Sequence, residues 1–144
     1  MSAKIDSFDG MYSFLSNFFP CEIKYEGITY PTSEHAFQAA KTHDPNERMK
    51  IANVDSPGRA KKLGRKLKLR RDWGSVRIGI MAAILRIKFE NADLRKRLLN
   101  TDDAELIEGN NWHDTFWGVC DGVGENNLGK LLMKIREETQ DGVQ

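Results

Sequence analysis

The sequence predicts an α+β fold that is predominantly helical, with a small N-terminal antiparallel β element packed on a helical body. Residues 21–25 and 28–30 predict the β element, because they alternate apolar and polar side chains around Glu26-Gly27, as hairpin strands do. Apolar residues at helical spacing further along the chain predict the helical body. The chain has 144 residues, enough to bury a core, and we predict a single domain over residues 1–144.

Helix boundaries are predicted from capping residues and prolines. Residues 5–20 lack helical spacing, so we expect a short strand followed by an ordered loop. After the hairpin, Thr32 and Ser33 can accept hydrogen bonds from the N–H groups of a first helical turn. Pro45 and Pro57 stand where the first residue of a helix is favoured, and the helix from Pro57 is expected to carry a run of basic residues.

The C-terminal half is predicted to be helical with one short strand. We expect a shorter helix over residues 92–99, a strand over residues 104–108, and a last helix over residues 126–139 with Asn126 as its N-cap. Residues 74–90 are expected to form a core helix. Its predicted buried stripe consists of Val76, Ile80, Ala83, Ile84 and Ile87.

Composition excludes several classes of protein. Apolar residues make up 40% and charged residues 30%, as in ordinary globular proteins, and the net charge is only +1. Two cysteines and three histidines show no metal-ligand spacing, so we expect no metal and no cofactor. The longest apolar run, residues 79–85, is too short to cross a membrane, so we expect a cytoplasmic protein without a membrane partner.

Basic residues are concentrated in one segment, between Arg59 and Arg71, with no acid among them. Such a run is typical of a solvated helix face, and equally of a surface that binds phosphate groups or nucleic acid. The run consists of Arg59, Lys61, Lys62, Arg65, Lys66, Lys68, Arg70 and Arg71.

Three polar residues share one stripe of the helix that follows the hairpin. Glu34, Gln38 and Lys41 are spaced i, i+4 and i+7, so that an acid, an amide and an amine lie in a row. This arrangement suits a ligand site. It is also typical of a solvent-exposed polar face, because the opposite side of the same helix carries alanines.

One segment, Gly124 to Lys130, matches the G-x-x-x-x-G-K pattern of phosphate-binding loops. Leu131 stands where that pattern needs a hydroxyl group for magnesium, and no apolar strand precedes the loop. We therefore do not expect an NTPase.

Tryptophans and a second carboxylate form another candidate site. Trp73, Trp112 and Trp117 lie outside the apolar stripes; tryptophans are commonly core residues, but their faces also stack on flat heterocycles. Asp114 precedes Trp117 by three residues and could face Glu34. Two carboxylates and an aromatic platform suit cleavage at a sugar anomeric carbon, whose transition state resembles an oxocarbenium ion.

Six motifs occur in order along the chain. They are Leu15-Ser16-Asn17-Phe18-Phe19-Pro20, Ser33-Glu34-x-x-x-Gln38-x-x-Lys41, Arg59-Ala60-x-x-Leu63-Gly64-Arg65, Arg71-Asp72-Trp73, Asp114-x-x-Trp117-Gly118 and Gly124-x-Asn126-x-Leu128-Gly129-Lys130. Their order and spacing resemble the NADAR family, also called YbiA-like, from about Ile5 to Glu137. The resemblance implies the YbiA-like α+β fold.

The resemblance also implies an N-glycosidase that hydrolyses the bond between ribose C1 and nitrogen in a phosphorylated or ADP-linked riboside. By position, the implied catalytic residues are Glu34, Lys41 and Asp114. The implied substrate-binding residues are Asn17, Gln38, Arg65, Trp73 and Trp117.

Three functions remain open within this resemblance. The basic run from Arg59 to Arg71 favours ADP-ribosyl-guanine in DNA as the substrate, with DNA as a partner. The alternative substrates are early riboflavin biosynthesis intermediates, and the alternative of another class is a non-catalytic ADP-ribose-binding module.

Two mechanisms also remain open. In the first, Lys41 attacks ribose C1 and opens the ring to an imine, which requires that burial or a cationic neighbour keeps the amine partly neutral. Glu34 then moves protons, Gln38 orients a sugar hydroxyl, and Trp73 or Trp117 stacks on the leaving base. In the second, Glu34 and Asp114 assist direct hydrolysis, and Lys41 only contacts a phosphate.

Overall fold

The computed structural model describes residues 3–142. Its helices are α1 (Ser33–Ala39), α2 (Pro45–Ala52), α3 (Pro57–Gly64), α4 (Trp73–Lys88), α5 (Ala92–Leu99) and α6 (Asn127–Gly142), and Gly10–Leu15 form a 3-10 helix. Its strands are β1 (Lys4–Ile5), β2 (Pro20–Tyr25), β3 (Ile28–Thr32) and β4 (Glu105–Leu106). The predicted α+β fold with a predominance of helix is confirmed. Within residues 3–142, every helix is too short or too polar to cross a bilayer.

The chain forms two compact units. The central unit consists of Asn17–Lys88, and the terminal unit consists of the residues up to Ser16 together with those from Phe89 onward. The single domain predicted from chain length stays a prediction.

In the terminal unit, β1 and β4 pair in parallel and bury Ile5 and Leu106. Asn126, which we predicted to be an N-cap, has a φ angle of +55°, whereas an N-cap needs extended backbone. Its side chain turns to β4, where its amide oxygen accepts from the N–H of Glu108 at 2.9 Å and its NH₂ group donates to the carbonyl of Leu106 at 2.9 Å. The N-cap prediction is therefore wrong, because this side chain joins β4 to the start of α6.

In the central unit, β2 and β3 form the predicted antiparallel hairpin. Glu26 and Gly27 have φ angles of +48° and +86°, close to the type I′ turn that matches the twist of hairpin strands. The hairpin packs on α1, α2 and α4, which confirms an antiparallel β element on a helical body.

The buried stripe of α4 differs from the predicted one. Of the five residues predicted to be inside, only Ile84 is fully buried, and the others are half-buried. The helix is apolar around most of its circumference, so spacing alone could not select the side that faces the core. The buried residues of α4 are Trp73, Met81, Ala82, Ile84, Leu85 and Lys88.

We predicted that one helix carries the whole basic run, and this prediction is wrong. α3 ends at Gly64, and the following residues turn back through a hydrogen bond from the N–H of Leu67 to the carbonyl of Gly64. The N–H of Arg70 then donates to the carbonyl of Lys41 at 2.8 Å. The run therefore bends around the end of α1.

The last residue of α4, Lys88, is a buried lysine. Lys88 is 1% exposed, and its ammonium lies 5.9 Å from the centre of the Phe19 ring. Burial lowers the pKa of Lys88 to about 8, although the neighbouring Cys21 thiol opposes this shift. The folded chain therefore releases a proton at a pH where the unfolded chain still binds it.

Relative to Lys88→Met, we expect the free energy of unfolding of the wild type to rise by about 1 kcal/mol between about pH 7 and pH 9. Below pH about 8, Lys88 is protonated in both the folded and the unfolded chain. Above it, only the unfolded chain binds the proton, so stability increases with pH. Urea unfolding of both proteins at the two pH values measures the effect, and equal pH dependence of the two would contradict it.

Candidate functional site

The helix that carries Glu34 and Gln38 is buried along its whole length, but it ends at Ala39, so the prediction that it also carries Lys41 is wrong. Every residue from Thr32 to Ala40 is buried, and the exposed fractions of Glu34 and Gln38 are 8% and 5%. The alternative of a solvent-exposed polar face is therefore wrong. A carboxyl group and an amide placed in such surroundings interact strongly with neighbouring polar groups, because little water screens them.

The N-terminus of α1 is fixed by Thr32, as predicted. Its hydroxyl oxygen accepts from the N–H of His35 at 3.1 Å and lies 2.7 Å from Nδ1 of the same residue. Nε2 of His35 lies 3.1 Å from the carbonyl of Val54, which can only accept, so Nε2 carries the proton. Burial lowers the pKa of His35, in keeping with a neutral ring.

Asn17 anchors the first turn of α1. Its side-chain oxygen accepts from the hydroxyl of Ser33 at 2.8 Å, its carbonyl accepts from the N–H of Glu34 at 3.1 Å, and its NH₂ group contacts Sδ of Met81 at 3.6 Å. The residue that sequence analysis marked as a substrate contact thus holds the backbone of Glu34 in place.

Lys41 lies just beyond the C-terminus of α1, and its backbone is held on both sides. Its N–H donates to the carbonyl of Gln38 at 3.2 Å, and its carbonyl accepts from Arg70. Burial lowers the pKa of Lys41; the carboxylate of Glu34 opposes this, and the cations Arg65 and Lys61 add to it. The acid and the amine of the stripe therefore act on each other in the folded chain.

Gln38 lies in the contact between α1 and α3. Its Oε1 is buried and has no conventional hydrogen-bond partner among the described residues. A Cβ atom added to Gly64 would collide with this oxygen, so the α-hydrogen of Gly64 points at Oε1 as a weak C–H···O donor. Only glycine lets α3 approach Gln38 this closely.

Trp73 and Arg65 also belong to the central unit. The Trp73 ring packs against Phe37 with ring centres 5.1 Å apart and has an exposed fraction of 8%, so little of its surface is open to a ligand. Arg65 is exposed at the end of α3.

Asp114 and Trp117 belong to the terminal unit, where Asp114 shapes its own loop. Its Oδ1 accepts from the N–H groups of Phe116 at 3.1 Å and Trp117 at 2.9 Å. The side-chain oxygen and NH₂ group of Asn110 bind the backbone N–H and carbonyl of Asp114. The half-buried Trp117 packs edge-on against Phe116, with ring centres 4.9 Å apart. Asp114 thus fixes the backbone that presents Trp117.

The loop before α6 is not a phosphate cradle. A cradle needs free backbone N–H groups, but four of them in this loop donate to carbonyl groups at 2.8 to 3.3 Å. The pairs are Glu125 to Thr115, Asn126 to Gly118, Asn127 to Phe116, and Leu128 to Trp117.

The central unit thus contains most of the site residues that sequence analysis selected: Asn17, Glu34, Gln38, Lys41, Arg65 and Trp73. Two further residues were not predicted from the sequence: Lys61, which lowers the pKa of Lys41, and His35, which contacts the capping hydroxyl of Thr32. Lys61 could have been selected because it precedes Arg65 by one helical turn. Nothing in the sequence pointed to His35, because its partner Val54 follows 19 residues later in a loop.

We expect Gly64→Ala to lower the free energy of unfolding by about 1–3 kcal/mol, because the new methyl group forces α3 away from Gln38. Gly58→Ala in the same helix is the control: its new Cβ would lie 4.0 Å from the nearest neighbour, the hydroxyl of Ser56. This control should leave stability within about 0.5 kcal/mol of the wild type or raise it. Equal urea midpoints for the two variants would contradict the close contact.

Comparisons with known proteins show which proteins this chain is similar to. The NADAR domain matches residues 6–140 of the chain. The chain is 45% identical over 131 residues to N-glycosidase YbiA of Escherichia coli K12, covering 88% of this chain and 81% of that protein. It is 38% identical over 137 residues to an N-glycosidase of Nostoc punctiforme, covering 90% of this chain and 87% of that protein.

Other relatives are longer proteins. A riboflavin biosynthesis protein of Vibrio vulnificus is 40% identical over 137 residues, which are 92% of this chain, and the chain spans only 37% of its length.

Among solved structures, the NMR structure of the E. coli protein YbiA matches with a TM-score of 0.86 and 42% identity, covering 99% of this chain and 88% of that one. The chain therefore belongs to the NADAR family, among relatives named N-glycosidases.

Proposed function

We propose that the chain is an N-glycosidase that hydrolyses the C1–nitrogen bond of a phosphorylated or ADP-linked riboside, with Lys41 as nucleophile and Glu34 as proton carrier. The observation that carries this proposal is the buried acid Glu34 on α1 acting on the half-buried amine of Lys41, whose pKa is lowered by burial despite the acid. A lowered pKa increases the fraction of neutral amine, which can attack carbon, whereas an ammonium cannot. The names of the N-glycosidase relatives support the same reaction class.

The reaction balances with these two groups and one water molecule. The Nζ lone pair of Lys41 bonds to C1 as the bond from C1 to the base breaks, and Glu34 carries the proton released by Nζ to the departing base nitrogen. The nitrogen lone pair then expels the ring oxygen, which takes a proton, and an imine forms. Water adds to the imine carbon and the C–N bond to Lys41 breaks, releasing the ribose and the free amine.

The other site residues have proposed supporting roles. Arg65 is exposed beside the pair and suits a phosphate contact. The NH₂ group of Gln38 suits a sugar hydroxyl, since its oxygen faces Gly64. In the central unit, Trp73, which packs on Phe37, suits an apolar contact with the base. Asn17 contributes by holding the backbone of Glu34.

Two candidate substrates have separate support. Exposed cations in the segment that bends around the end of α1 favour ADP-ribosyl-guanine in DNA, because each can contact a backbone phosphate. They are Arg59, Lys62, Arg65, Lys66, Lys68 and Arg71. The names of the riboflavin biosynthesis relatives favour a small phosphorylated ribosylamino-pyrimidine instead.

We expect cyanoborohydride added during turnover to trap a ribosyl adduct on Lys41, detectable by peptide mass spectrometry. Lys41→Ala and Lys41→Arg should both lose at least about 100-fold in kcat/KM, since neither offers a neutral amine. Lys50→Ala, at an exposed lysine paired with Glu47, should keep full activity and the adduct.

Two results would decide against the imine. Full activity in Lys41→Ala without an adduct would rule it out. Activity lost in Glu34→Gln and Asp114→Asn but kept in Lys41→Ala would establish direct hydrolysis. Binding of ADP-ribose without release of base from either candidate substrate would identify a binding module instead.

We expect reversal of three exposed charges, Lys62→Glu, Lys66→Glu and Lys68→Glu together, to lower activity on ADP-ribosylated DNA at least about tenfold and to flatten its salt dependence. Activity on the ribosylamino-pyrimidine phosphate should be unchanged. The matched control reverses three exposed lysines elsewhere, Lys24, Lys96 and Lys134. DNA activity that survives with the same salt dependence would favour the riboflavin-type substrate.

A further inference from the structure

Helix packing brings α3, which carries Lys61 and ends next to Arg65, against α1. α3 meets α1 where Gly64 lies against Gln38. Lys61 and Arg65 flank Gly64 and are one helical turn apart, so both leave α3 on the side next to this contact. Lys41 follows Gln38 by three residues on the α1 side. The glycine contact therefore sets the separation between the two cations and the amine.

Opposing charges act on Lys41 from the two helices. From α1, the carboxylate of Glu34 favours the ammonium form; from α3, Arg65 and Lys61 disfavour it. Burial also disfavours the ammonium form and is the largest of the causes that lower the pKa of Lys41. Without Arg65 and Lys61, burial alone would oppose the rise in the pKa of Lys41 that the Glu34 carboxylate causes.

Two arginines on the neighbouring elements are each paired with a carboxylate. Arg70, whose backbone binds Lys41, donates from Nε and Nη2 to Asp72 at 2.6 and 3.1 Å. On α2, Arg48 is paired with Glu26 at 2.8 Å.

Three further polar or aromatic side chains lie on this loop and on the elements packed against α1. His43 is exposed on the same loop, and Trp73, where α4 begins, carries no charge. The hairpin contributes Tyr25, a phenol whose pKa is raised chiefly by burial, so it stays neutral.

We propose that Lys61 and Arg65 are positioning residues that increase the neutral fraction of the Lys41 amine while Glu34 remains close enough to move its protons. The proposal rests on the proposed imine mechanism, because only a nucleophilic lysine needs its lone pair. An acid alone beside the amine would favour its protonated form. The cations of α3 favour the neutral form instead, so an ionised acid and a neutral amine can coexist. The amine can then attack without first losing a proton to water.

The test measures the reactivity of Lys41 without any enzymatic turnover. Isotopically labelled formaldehyde condenses with a neutral amine, and cyanoborohydride reduces the resulting iminium to a methylamine that peptide mass spectrometry assigns to Lys41. The labelling rate is recorded against pH for the wild type, Lys61→Gln and Arg65→Gln. Lys62→Gln is the matched control, because this exposed neighbour on α3 loses the same charge and is not among the groups that shift the pKa of Lys41.

Near neutral pH, we expect Lys41 to be labelled about two- to tenfold more slowly in Lys61→Gln and Arg65→Gln than in the wild type. The rates should converge at high pH, where the amine is neutral in every variant. Lys61→Arg, which keeps the charge, should restore the wild-type rate, and Lys62→Gln should not change it. If the imine mechanism is correct, the acid limb of kcat/KM moves to higher pH in the same two variants.

Unchanged labelling rates in both Gln variants would overturn the proposal, as would a decrease that is the same at every pH, which indicates altered access. A fully restored rate in Lys61→Arg, together with a shifted pH dependence, supports it. If labelling behaves as expected but no substrate gives an adduct on Lys41, the proposed imine mechanism fails and the charge effect stands.

Discussion

The central unit depends on the burial of α1. A helix of seven residues is too short to be stable alone in water, so packing against the hairpin, α2, α3 and α4 must hold it. Its start is fixed by Thr32 and Asn17, and its end by the hydrogen bond from Arg70 to Lys41. With both ends fixed, the backbones of Glu34 and Lys41 are held at a constant separation, and the burial of Glu34 strengthens its charge interactions.

Small residues make this burial possible. Ala36, Ala39 and Ala40 are fully buried, and with Gly64 they let neighbouring elements approach the α1 backbone closely. The alanine side, which in sequence looks like the featureless half of the helix, is therefore a packing surface. The polar side, with Glu34 and Gln38, is buried as well, and Gln38 contacts Gly64 of α3.

The two units fix their candidate residues by the same physical means. Asn17 accepts from the hydroxyl of Ser33 through its side-chain oxygen and from the N–H of Glu34 through its backbone carbonyl. Oδ1 of Asp114 accepts from the N–H groups of Phe116 and Trp117. Such contacts remove conformational freedom before any ligand arrives.

The sequence by itself determined the local features of this protein. Capping by Thr32, the Glu26-Gly27 turn and the proline helix starts depend on neighbouring residues, and so they were predictable. Burial of both sides of α1, the side of α4 that faces the core and the turn of the side chain of Asn126 toward β4 were decided only by tertiary structure. These features depend on contacts between residues far apart in sequence, such as Gln38 with Gly64, that periodicity does not encode. The pair Glu34 and Gln38 needed both, since helical spacing aligned the two groups and packing buried them.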